Sequence, residues 1–174
     1  MRKLFAATAL AVAILAITPG GPRRSHTAGE PFNEEDIAFL QAIVPHNLEA
    51  VQMADQASSR STDLKILYLA TTIAGSQEPE ENRARSWLKQ WGKQLNPSPH
   101  RAVSEPYLSA NQDVHGEEFD RLFLAAIIGH HQESISLACT VLDRGESPSV
   151  AASAHRIFEL QTARIRITRE LLFS

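Results

Sequence analysis

Two short sets of residues in this chain have the types and spacing for metal chemistry. His46 is followed three residues later by Glu49, and His130, with His131 beside it, is followed by Glu133. Residues three apart share one face of a helix, so imidazole and carboxylate can converge on one point. Imidazole nitrogen and carboxylate oxygen together suit Cu, Zn or Fe ions. A second polar set accompanies the first: Gln77 with Glu80, and Gln161. These are placed to lie beside the ligands as supporting groups. The same residues also suit a metal-free reading, in which buried imidazoles are held by Gln and Glu of neighbouring helices.

The two sets are related. Sliding residues 36–88 onto 120–172 without a gap pairs His46 with His130, Glu49 with Glu133 and Gln77 with Gln161. It also pairs Asp36 with Asp120, Phe39 with Phe123, Leu40 with Leu124, Ala70 with Ala154, Ile73 with Ile157 and Arg85 with Arg169. Roughly a quarter of the aligned positions are identical, which marks an internal duplication. Apolar residues at helical spacing survive in both copies because the fold needs them. The surviving His, Glu and Gln mark a candidate site.

Four helices must position these groups. The first starts after the N-cap Asn33, with Glu34, Glu35 and Asp36 favourably placed in its first turn. Its expected stripe is Ile37, Leu40, Ile43, Val44, Leu48, Val51 and Ala54, and residues 58–61 end it. Thr62 or Asp63 opens a second helix with Ile66, Leu69, Ala70, Ile73, Trp87, Leu88 and Trp91 on its stripe. Pro79 is expected to kink or break it, and Gly92 to stop it. A proline-rich connection of about twenty residues, 96–114, follows. The third helix, about residues 117–142, carries Phe119, Leu122, Phe123, Ala126, Ile127, Ile135 and Ala138. Ser147-Pro148 then opens the fourth with an N-cap and a proline at its first position. The expected fold is all-α: a ferritin-like four-helix bundle of two duplicated hairpins joined by a long crossover. It is a single domain over residues 32–174, with repeats at about 33–94 and 117–173.

Residues 1–28 read as a signal peptide and linker. Arg2 and Lys3 precede an apolar run over residues 4–17, and a Pro/Gly-rich break follows. The run is short for a stable membrane span, so an exported, envelope-associated or secreted protein is expected, with an uncleaved anchor as the alternative. Of the 174 residues, the charged ones give a net charge of -3, with no basic stripe to attract nucleic acid. The single Cys139 can form no internal disulfide and is expected as a buried, inert thiol. No Ser-His-Asp set, phosphate-binding Gly loop or Cys-x-x-Cys pair is present, so no catalytic residue is assigned and the chain reads as a non-enzyme. His26, His100, His115 and His155 fall in linkers or on helix surfaces, where solvation is expected.

The motifs resemble those of the exported bacterial family of unknown function numbered 305. The first copy reads Phe39-Leu40, His46-Asn47, Met53-Ala54, Leu69-Ala70, Ile73, Gln77, Glu80 and Trp87-Leu88-Lys89-Gln90-Trp91-Gly92. The second reads Phe123-Leu124, His130-His131, Leu137-Ala138, Ile157, Gln161 and Leu171-Leu172. The resemblance spans nearly the whole mature chain and implies a ferritin-like bundle with copper-handling His and Met residues. By that resemblance His46, Met53, His130 and His131 are ligand candidates beside Glu49 and Glu133. This chain departs from the family pattern at its sulfur ligands. Ile43 and Ile127 stand for the Met before each His, Asn47 for a His, and Leu137, Ala84 and Thr168 for further Met. Arg164 stands for a Glu. Only Met53 remains of the thioethers. A His/Glu site for Cu(II), Zn(II) or Fe(II) is therefore expected over a Cu(I) site, and a structural or protein-interaction module of the envelope is the alternative.

Overall fold

A computed structural model describes residues 29–95 and 113–173. Its four helices are α1 (Glu34–Arg60), α2 (Leu64–Gln90), α3 (Gly116–Arg144) and α4 (Pro148–Leu172). Residues 61–63 and 145–147 turn each pair into a hairpin, α1 with α2 and α3 with α4. The expected crossover falls on residues 96–112, and the expected signal and linker on 1–28. Both lie outside the described residues.

The local chemistry fixes the helix ends. The Asn33 side chain accepts from the backbone N–H of Glu35 and Asp36 at 3.0 and 3.1 Å, and Asp36 accepts in return from Asn33 at 2.9 Å. This capping box satisfies the first turn from both sides. The same Asp36 oxygen accepts from the backbone of Glu146 and Ser147 at 2.9 and 3.0 Å, tying the α3–α4 turn onto the start of α1. Gly145 makes that approach possible, because a Cβ there would stand 2.5 Å from the other Asp36 oxygen. Ser147 caps α4 ahead of Pro148, and Glu30 adds a carboxylate that accepts from the Ser149 N–H at 2.6 Å. Beyond α2, Gly92 takes the left-handed φ of 64°, and Lys93 N–H reaches back to Leu88 at 2.8 Å, so Gly92 stops the helix as expected.

The core is divided. One apolar half packs Ala50, Met53, Ala57, Ile66, Ile73, Phe119, Phe123 and Ile127. The other packs Ile37, Leu40, Ile43, Trp87, Leu88, Val141, Val150 and Ile157. Along every helix the interval between the halves is polar and still buried: His46, Asn47 and Glu49, then Gln77, then His130, His131 and Ser134, then Gln161 and Arg164. A polar layer therefore crosses the middle of the bundle.

Four expectations change. Leu48 is 40% exposed and Val51 is half-buried, because the inward positions of α1 at this level belong to His46, Asn47, Glu49 and Ala50. Leu122, Ile135 and Trp91 are likewise half-buried at the margin of the core, with Trp91 stacked on Phe32 at 4.1 Å between ring centroids. Cys139 is exposed, since the buried position of that turn of α3 is its neighbour Ala138. Pro79 does not break α2, which runs unbroken from Leu64 to Gln90 with Pro79 on its exposed side. A proline facing solvent leaves the carbonyl four residues earlier within reach of water. Among the described residues no helix is long and apolar enough to cross a membrane.

Candidate metal centre

The polar layer brings together residues that lie far apart in the chain. His46 on α1 and His130 on α3 stack face to face, with ring centroids 3.7 Å apart and planes 11° off parallel. One ligand atom from each of His46, Glu49 and His130 lies within 4.8 Å of the others, and all three residues are buried. Ligands bound to one ion at about 2.0–2.2 Å stand about 3–4 Å from one another, so a small inward movement would close this set on a metal. Glu133 stands at the rim, 28% exposed, with Oε2 4.0 Å from His46 Nδ1.

Hydrogen bonds orient both rings. His130 Nε2 lies 2.8 Å from the main-chain oxygen of His46, which can only accept, so His130 carries its proton on Nε2. His46 Nε2 lies 2.7 Å from Ser134 Oγ, and that hydroxyl donates its own proton to the His130 carbonyl at 3.1 Å. Ser134 thus links the His46 ring on α1 to the main chain of α3. The Nδ1 of His46 lies on the side of Glu133. Ring N–H groups committed to oxygen acceptors are the usual support of a metal-bound histidine.

The other predicted site residues occupy the same layer with different surroundings. His131 is buried edge-on to His130, with centroids 6.0 Å apart, and neither of its ring nitrogens has a hydrogen-bond partner in the protein. Burial, aided by His130 and Arg164, holds its pKa well below the ordinary imidazole value, so the ring is neutral. Gln77 and Gln161 are buried on α2 and α4. Arg164 is 6% exposed and donates to the Thr72 carbonyl at 3.2 Å. Burial depresses its pKa, and Glu80 opposes that shift. Glu80 is pushed up to about 7 by burial, against the pull of Arg83, Arg156, Arg164 and the Asn47 amide. Met53 is 2% exposed and packs in the apolar half, two turns along α1 from His46. His115 and His155 are exposed, whereas His26 and His100 lie outside the described residues.

Sequence reasoning missed Ser134. The signal was present: it lies one turn after His130 on a buried face, and its partner in the other copy is Ala50. Sequence reasoning also assigned each Glu to the His of its own helix, whereas His46 additionally faces Glu133 of the other copy.

Known proteins share this architecture. A DUF305 fragment from Deinococcus radiodurans is 26% identical, with a TM-score of 0.74 over 82% of this chain and 97% of that one. A DUF305 protein from Streptomyces coelicolor, named as secreted, is 21% identical, with a TM-score of 0.74 over 79% of this chain and 91% of that one. CopM in its Cu(I)-bound form is 27% identical, with a TM-score of 0.67 over 78% of this chain and 94% of that one. CopM is also known in Cu(II)- and Ag-bound forms. No curated protein matches the chain. The model of DUF305, a domain of unknown function, matches residues 36–172, and the chain belongs to that family.

Proposed function

We propose that this protein is an exported metal-binding bundle that holds one transition-metal ion, Cu(II) in preference to Zn(II), between α1 and α3, without turnover. The observation that carries the reading is the convergence of His46, Glu49 and His130, with the His130 Nε2–H committed to the His46 carbonyl. Two imidazoles and a carboxylate form a borderline-to-hard donor set, and the general affinity order places Cu(II) above Zn(II) for such ligands. Glu133, at the rim, is placed to meet an incoming ion and to complete a fourth position. Copper and silver binding by the relative CopM supports the metal class. The basic, apolar N-terminus supports export.

The test is metal analysis and thermal melting of the mature protein, purified without a metal-binding tag, as wild type and as His46→Ala/His130→Ala. The expected result is one equivalent of Cu(II) and a melting shift that vanishes in the double variant. A hundredfold excess of ligand over Kd corresponds to about 2.7 kcal/mol of stabilisation. No metal and no shift in the wild type would reject the reading. The polar layer would then be a metal-free network that fixes helix register.

A further inference from the structure

On the α2–α4 side of the polar layer the two hairpins fill equivalent positions with opposite chemistry. The close helix packings are α1 on α2, α3 on α4 and α1 on α3, so α2 and α4 stand further apart and side chains span the seam between them. In the first hairpin the Asn47 amide is turned to the Glu80 carboxylate, a neutral donor meeting an acidic acceptor. The duplication puts His131 at the Asn47 position and Arg164 at the Glu80 position of the second hairpin. There the acceptor has become a guanidinium, and the group beside it is a neutral imidazole that still carries one N–H. His131 is fully buried, and neither of its ring nitrogens has a partner. Arg164, also buried, gives one N–H to the Thr72 carbonyl, while its Nη1 donates to nothing in the protein. Among the described residues no carboxylate makes an ion pair with Arg164, and Glu80 acts on it only at a distance. Thr168, one turn further along α4, and Gln77, on α2, add buried polar groups without partners. A buried charge is costly unless something of opposite charge compensates it.

From this arrangement we infer that the seam binds one small monovalent anion of the halide class on Arg164 and His131, where it takes the place of the carboxylate that Glu80 supplies in the other hairpin. The charge count fits a monovalent ion. Arg164 offers one positive charge, and His131, Thr168 and Gln77 are neutral groups able to donate. A divalent anion would bring a second negative charge with nothing buried beside it to match. Water satisfies neutral donors but carries no charge, so hydration alone leaves the guanidinium uncompensated. Arg164 also repels cations, which sets this site apart from the His46, Glu49 and His130 cluster. The anion site uses none of those three residues and stands independently of the metal reading.

Thermal melts of the full mature chain, freed of metal by a chelator, test the site in sodium chloride, sodium bromide and sodium gluconate at equal ionic strength. Screening acts alike in the three salts, whereas an ion bound by the native state raises the melting temperature. Chloride and bromide should each raise the midpoint by a few degrees over gluconate. Arg164→Gln should abolish that difference, and Glu80→Gln, which removes the opposing charge, should preserve it. Wild-type crystals grown in bromide locate the ion directly by anomalous scattering, and a bromide within hydrogen-bond distance of Arg164 is expected. This second arm decides the matter if Arg164→Gln does not fold. The inference falls if the three salts give the same wild-type midpoint, or if Arg164→Gln keeps the halide shift. It falls equally if water alone occupies the seam in bromide, since the buried donors are then served by hydration. All melts are metal-free, so failure of the anion site and failure of the metal site are read separately.

Discussion

The polar layer contains two regions built from repeat-equivalent positions, and they have diverged in opposite ways. Where α1 meets α3, both copies keep the same residues: His46 matches His130 and Glu49 matches Glu133. Two acidic side chains then flank two stacked imidazoles. Where α2 faces α4, the copies differ: Glu80 corresponds to Arg164. That seam contains its own cation, and Glu80 and Arg164 each moderate the pKa of the other. Its polar groups are poorly served within the protein. Both ends of the Gln77 amide, Gln161 Oε1, Thr168 Oγ1, Arg164 Nη1 and both nitrogens of the adjoining His131 lack hydrogen-bond partners there. Among the α1–α3 groups, the imidazole Nε2 atoms are fully committed. The comparison teaches that duplication alone does not fix the character of a buried pair: one side keeps two acidic side chains, and on the other a single change to arginine makes a pair of opposite sign.

Arg164→Glu should break the contrast most forcefully. It would set a second carboxylate opposite Glu80 and leave the seam with no internal cation. The expected cost to the apo protein at pH 8 is about 1–3 kcal/mol, the range for a buried polar group left unsatisfied. Added Zn(II) or Cu(II) should restore part of that stability, and the bound stoichiometry should rise from one ion to two. Urea melts with and without metal, together with metal analysis, read both effects. A variant as stable as wild type that takes up no additional ion would show that the charge of Arg164 does not set the difference between the regions.

Much of this arrangement was legible in the sequence, and the parts that were not share a cause. Asn33, Ser147-Pro148 and Gly92 act through their own neighbours, so helix ends could be read locally. His46 and His130 could be paired because the duplication exposes what both copies retain. Leu48 was misplaced because apolar periodicity assumes that the inward face is apolar throughout. At the polar layer the buried positions are His46, Asn47 and Glu49, and the stripe passes Leu48 by. Ser134 and the approach of His46 to Glu133 depend on which helices meet. The contact partner of a side chain across α1 and α3 is set by tertiary packing, which spacing within one helix does not encode.

A gentler perturbation tests the charge balance of the seam. The folded pKa of Glu80, about 7, lies above its ordinary value of 4.5, so the native state holds more protons than the unfolded chain between those pH values. Stability from this group is therefore fully present below about pH 4.5 and is lost as the pH rises through 7. His131, with a depressed pKa, contributes the opposite slope below about 6.5, where the unfolded imidazole takes up a proton. Comparing wild type with Glu80→Gln isolates the carboxylate. The variant should gain stability relative to wild type as pH rises from 5 to 8, by about 1–2 kcal/mol after allowance for the partial exposure of Glu80. Denaturant melts at several pH values measure it. A difference that does not change with pH would mean that Glu80 titrates alike in both states and that Arg164 already compensates its burial.

The smallest effect is expected at the single surviving thioether. Met53 is the methionine that this chain retains from the family pattern, yet it packs with Ala50, Ala57, Ile66 and Phe123 in an apolar half of the core. Met53→Leu nearly conserves volume and should cost less than about 1.5 kcal/mol. If the site is the nitrogen and oxygen set on α1 and α3, the variant should bind Cu(II) as the wild type does, and its Ag(I) affinity should be unchanged as well. A selective loss of Ag(I) binding would place the thioether sulfur among the ligands. The contrast within the layer would then be sharpened: the α1–α3 region would extend two turns along α1 into the apolar half, and it would carry a soft donor that the His/Glu geometry alone does not require.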